Sequence, residues 1–157
     1  MKLAIGMTAP NFELPVAGGD YAEESTVSLE SLRGSRVVLV FYPKDNTPGC
    51  TTQACDIRDS YASLPDDVQV FGVSADSVRK HQNFINKHSL LHPLLSDEST
   101  EMLDAYGVWV EKKNFGKTYM GIVRTTVVID SDGQIDTVME KVKPATHLQD
   151  LLGILQA

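Results

Sequence analysis

Val37-Val38-Leu39-Val40-Phe41-Tyr42 is an unbroken apolar run rich in β-branched residues. That is the pattern of a strand buried on both faces of a sheet, with no polar side left for water. What surrounds the run is equally ordered. Ser28 to Arg33 reads as a short helix with Ser28 as its cap and Gly34 as its terminator. After the strand comes a loop, Pro43 to Gly49, and then Cys50 to Leu64, whose composition is helical. Thr47 followed by Pro48 marks the start of that helix, because proline in the first turn loses no needed N–H.

The alternation continues. Val68 to Ser74 is a second strand, and Ser77 to His88 a helix whose Val78, Phe84 and Ile85 fall near one face. Ser99 to Tyr106 reads as a helix ended by Gly107. Arg124 to Asp130 and Ile135 to Lys141 read as an antiparallel hairpin around the turn Asp130-Ser131-Asp132-Gly133. Pro144 opens a closing helix with Leu148, Leu151, Leu152 and Leu155 at helical spacing. Strands alternating with helices, then a hairpin and a last helix, predict a thioredoxin-like α/β fold with a central mixed sheet flanked by helices.

At 157 residues, 42% hydrophobic and 22% charged, with no linker or repeat, the chain 1–157 is expected to form one domain. It has no run of about 18 apolar residues to cross a bilayer, and Met1 to Thr8 lacks the regions of a signal peptide, so a cytoplasmic location is expected. The net charge of -7 repels phosphate backbones and argues against a nucleic-acid partner.

Only two cysteines are present, too few for a disulfide scaffold. Their value lies in position. Cys50 falls in the first turn of a helix that starts beyond the carboxyl end of a buried strand. Free N–H groups and the positive end of the helix dipole favour a thiolate there, and the thiolate is the nucleophile. Such strand ends are also where α/β sheets place ligands. Thr47, three residues earlier, reads either as a helix cap or as a hydroxyl reaching a ligand beside Cys50. Pro43 reads either as a turn residue or as a shield over the thiolate. Arg124 precedes the core of a strand able to lie beside the Cys50 strand; it reads either as a surface arginine or as a cation for the thiolate. The spacing Pro-x-x-x-Thr-x-x-Cys is more specific than its parts.

Phe41-Tyr42-Pro43-Lys44-Asp45-Asn46-Thr47-Pro48-Gly49-Cys50-Thr51-Thr52 resembles the active-site segment of peroxiredoxins, and Ala54-Cys55-Asp56-Ile57-Arg58-Asp59 that of the bacterioferritin comigratory protein, or peroxiredoxin Q, subgroup. The likeness extends to Gly6–Phe12, Val73–Ser77, Tyr106–Trp109 and Lys117–Arg124, nearly the whole chain. It implies that Cys50 is the peroxidatic cysteine, Cys55 the resolving one, and Thr47, Arg124 and Pro43 its activating neighbours. The implied cycle needs no metal, flavin or haem. Hydrogen peroxide or an alkyl hydroperoxide oxidises Cys50 to a sulfenic acid, Cys55 closes a disulfide with it, and thioredoxin or a similar dithiol protein reduces the bond. The subgroup further implies a monomer. Position 53 is Gln where family members commonly have Glu, which puts an ion pair from that side chain in question. If the bond forms, α-helical geometry opposes it: five residues along a helix set Cα atoms roughly 8.7 Å apart, against about 4.4 to 6.8 Å for a disulfide. The helix start must then open in each cycle.

A thioredoxin-type protein disulfide oxidoreductase is the alternative, but it normally needs Cys-x-x-Cys, and four residues intervene here. A metal-binding module lacks ligands at zinc spacing. His81, His88, His92 and His147 read as surface or partly buried polar residues, Trp109 as packing, Lys112-Lys113 as a solvated loop, and Asp130 to Gly133 as a turn without the glutamate a calcium loop needs.

Overall fold

A computed structural model describes residues 3–156; Met1, Lys2 and Ala157 of the expected 1–157 unit lie outside the described residues. The strands are β1 (Glu13–Ala17), β2 (Thr26–Ser28), β3 (Arg36–Phe41), β4 (Val68–Ser74), β5 (Leu94–Ser96), β6 (Trp109–Asn114), β7 (Lys117–Ile122), β8 (Thr125–Ile129) and β9 (Ile135–Met139). The helices are α1 (Pro48–Asp59), α2 (Val78–His88), α3 (Glu101–Ala105) and α4 (His147–Leu155). Seven strands form a sheet in the order β2-β1-β5-β4-β3-β8-β9, and β6 and β7 pair as a separate hairpin. β3 runs parallel to β4 and antiparallel to β8, so the central sheet is mixed, as the element order predicts.

β3 shows why the apolar run had to be buried on both sides. Its side chains alternate with period two: Val37, Leu39 and Phe41 enter one core layer with Met102 and Leu103 of α3, while Val38 and Val40 enter another with Ile57 of α1 and Leu151 and Leu155 of α4. Each such buried side chain contributes roughly 1.5 to 3 kcal/mol of transfer free energy. A third layer joins the site to the sheet. Tyr42 and Cys50 pack there with Ala54, Phe84, Leu90 and Leu94. Phe84 is fully buried, and truncating it to Ala would cost about 3 to 5 kcal/mol.

Several expectations need correction. The helix expected over 28–33 is a single 3-10 turn, Glu30–Leu32, although the Ser28 hydroxyl does accept from the Ser31 N–H. α1 ends at Asp59 rather than at residue 64, and Tyr61–Ser63 tighten into a 3-10 turn. Lys112 and Lys113 are not in a loop but in β6. α4 starts at His147, because residues 143–146 form a turn in which the Thr146 N–H donates to the Lys143 carbonyl.

Candidate active site

β3 delivers the chain to the site, and α1 begins it. Thr47 occupies the N-cap position in an extended conformation, Pro48 follows, and Cys50 sits in the first turn with 2% of its surface exposed. The Thr47 hydroxyl does not cap the helix. It donates instead to the Lys44 carbonyl at 2.8 Å, which closes the loop on itself and leaves the hydroxyl oxygen's lone pairs as acceptors. Pro43 is exposed at the start of that loop.

Arg124 is brought in by the sheet. β8 pairs with β3 so that Thr125 lies opposite Phe41, which sets the residue before β8 beside the loop after β3. One guanidinium nitrogen of Arg124 lies 3.4 Å from Cys50 Sγ, and the other donates to Gln53 Oε1 at 2.7 Å. The surface-arginine reading is thereby excluded. The planar fork holds two partners on one helix face, and Gln53 does with a neutral carbonyl the orienting that a carboxylate would do. Its Nε2, turned away from Arg124, is buried without a partner among the described residues. Gly49 makes room for this. A Cβ there would lie 3.1 Å from the Arg124 guanidinium and 3.2 Å from Pro144.

Cys55 lies on the same helix, half-buried, and both cysteines are free thiols. Lys112, on β6, donates to the Ile122 carbonyl. Partial burial and the nearby Arg124 charge lower its pKa, while Cys50 opposes the shift.

The histidines are more buried than expected. His81, His92 and His147 expose 2% of their surface or less. His92 and His147 are pushed down to about 4 by burial, the Arg124 charge adding to the effect at His147. His81 belongs to a polar network that has no signature in sequence. Its Nδ1 lies 2.7 Å from Asp45 Oδ2 and its Nε2 2.8 Å from the Leu95 carbonyl. The Tyr42 hydroxyl donates to Asp45 Oδ1 at 2.5 Å, and the Asp45 N–H donates to Asp76 Oδ2, which also accepts from Ser74. Burial, then the Asp45 charge, push the Tyr42 phenol well above its usual range, so it remains a donor.

The model of the AhpC/TSA family matches residues 5–138. Among relatives, peroxiredoxin Bcp of Bacillus subtilis is 46% identical over 157 residues, covering 99% of this chain and 97% of its own. Peroxiredoxin Bcp of Escherichia coli is 41% identical over 155 residues, covering 98% and 96%. Among solved structures, the Xanthomonas campestris bacterioferritin comigratory protein, studied for alkyl peroxide reduction, superposes with a TM-score of 0.84 at 34% identity over 92% of this chain and 90% of its own. A Xylella fastidiosa PrxQ variant gives 0.89 at 30% identity over 98% and 96%. The family model over residues 5–138, full-length relatives at 41 to 46% identity and the superposition on the solved bacterioferritin comigratory protein and PrxQ structures establish that the chain belongs to the AhpC/TSA family, among its Bcp and PrxQ peroxiredoxins.

Proposed function

We propose that the chain reduces hydrogen peroxide and alkyl hydroperoxides through Cys50, with Cys55 as resolving cysteine. The observation that carries this reading is the Arg124 guanidinium at 3.4 Å from a cysteine sulfur in the first turn of α1. The dipole and the cation favour the thiolate, and the same donors stabilise the negative charge that grows on the leaving oxygen. The Thr47 hydroxyl oxygen accepts from the peroxide O–H and orients it. Pro43 helps to fix the loop.

In the first step sulfur takes the distal peroxide oxygen, the O–O bond breaks, and the leaving oxygen gains a proton to depart as water or alcohol. Cys50 is then a sulfenic acid. Cys55 attacks that sulfur, the S–S bond forms, and the sulfenic oxygen leaves as water. A dithiol protein of the thioredoxin class reopens the disulfide by exchange. The reading further holds that the chain works as a single-domain monomer in a reducing, cytoplasmic setting, where its thiols are regenerated. Among the described residues no helix is long and apolar enough to cross a membrane.

Mixing reduced protein with an equimolar amount of hydrogen peroxide should consume the peroxide rapidly and stoichiometrically. A thioredoxin-type oxidoreductase predicts slow loss. Slow consumption by fully reduced protein would refute the peroxidase reading.

A further inference from the structure

The loop from Pro43 to Thr47 carries the residue that is to orient the peroxide, yet its own conformation is held from a distance. Asp45 is 6% exposed and its polar atoms point inward. Its two carboxylate oxygens accept from Tyr42 and His81, and its backbone N–H donates to Asp76. Immediately after it, Asn46 adopts a positive φ of 60°, and this turn sends the Thr47 hydroxyl back onto the Lys44 carbonyl. The place of Thr47 is therefore inherited from Asp45.

His81 is the far anchor. It is fully buried on α2, with its own N–H bonded to the Ser77 carbonyl. Its ring nitrogens face a carboxylate oxygen of Asp45 and the Leu95 carbonyl, so the ring bridges the 43–47 loop to β5. Removing the imidazole leaves a buried carboxylate oxygen of Asp45 without that partner, and the loop must then shift to find a new one. Asp76, on the other side, is already engaged with Ser74 and the Asp45 N–H.

We propose that His81 is a positioning residue for peroxide reduction: through Asp45 it holds the 43–47 loop in the shape that sets the Thr47 oxygen beside Cys50. It touches neither Cys50 nor substrate. The role rests on the reading of Cys50 as the peroxide-reactive cysteine. It also divides the site in two. Arg124 and the helix dipole govern thiolate reactivity in general, whereas the His81–Asp45 pair governs only the fit of the peroxide.

That division supplies the test. His81→Gln, and independently Asp45→Asn in case the first variant does not fold, are compared with the unaltered protein in two reactions of Cys50: with hydrogen peroxide, and with iodoacetamide, which needs the thiolate but not Thr47. A misplaced loop should lower the peroxide rate constant by about 10- to 100-fold while alkylation stays within about twofold. Thr47→Ala combined with His81→Gln should add little to either single loss. Equal losses in both reactions, or no loss in either, would overturn the positioning role. If the unaltered protein itself reacts slowly with peroxide, the Cys50 reading fails and this role with it; if it reacts rapidly and the variants match it, only the role of His81 fails.

Discussion

Arg124 and Cys50 are 74 positions apart in sequence, yet their side chains meet through one nitrogen while Gln53 takes the other. The account therefore predicts graded losses. Arg124→Ala should slow peroxide reduction by about 10²- to 10³-fold, the range for removing one preorganised donor, and Gln53→Leu should cost less, since the cation remains but loses its orienting carbonyl. Stopped-flow measurement of second-order rate constants ranks them; an unchanged Arg124→Ala would remove that residue from the chemistry. At this scale sequence was informative only where contacts are local. Cys50 and Thr47 stand in one short motif whose helix-start position has a physical meaning of its own. Arg124 was readable from its place before a strand able to lie beside the Cys50 strand only as one of two alternatives, and resemblance decided between them, because nothing in the spacing of residues joins 124 to 50. The network of Asp45, Asp76 and His81 was not foreseen, and His81 was read as a surface or partly buried polar residue, since their meaning arises only when the 43–47 loop, the end of β4 and α2 converge.

Among the elements, α1 is the one that the proposed Cys50–Cys55 disulfide would require to change. Cys50 and Cys55 lie on one continuous helix, where five residues separate Cα atoms by roughly 8.7 Å, beyond the reach of a disulfide. Oxidation should unwind the first turns, the cheapest part to open because its N–H groups lack intrahelical acceptors. Amide exchange of residues 50–58 should be faster in the oxidised form; equal protection in both forms would contradict it. The buried strands β3, β4 and β8 were legible from their apolar runs. The hairpin β6–β7 was not. Its residues are largely polar and exposed, and its turn is Phe115-Gly116, with positive φ of 51° and 77°, where Asn-Gly would have announced it. Phe115 is also almost wholly exposed. Phe115→Asn should therefore raise stability by up to about 1 kcal/mol, read as a higher Tm. β5 has three residues and β1 carries Pro15, so neither presents a long β-rich signal.

For the whole molecule, the buried histidines set the response to acid. Unfolded, His92 and His147 bind protons near pH 6.5; folded, they do so only at about 4. Between those values the unfolded chain holds more protons, so their contribution to stability is full above about pH 6.5 and is lost as pH falls towards 4, up to about 3 kcal/mol for each. His147→Gln, which can keep the hydrogen bond that Thr126 now shares with His147 Nε2, should flatten the fall of Tm across this window; an unchanged slope would show that His147 does not carry it. The central claim, that Cys50 takes the peroxide oxygen and Cys55 then captures Cys50, is tested most directly by peptide mass spectrometry after one equivalent of hydrogen peroxide. Unaltered protein should show an intramolecular Cys50–Cys55 disulfide, and the Cys55→Ser variant a single added oxygen on Cys50. Oxygen appearing first on Cys55, or a disulfide that links two chains instead, would contradict the account.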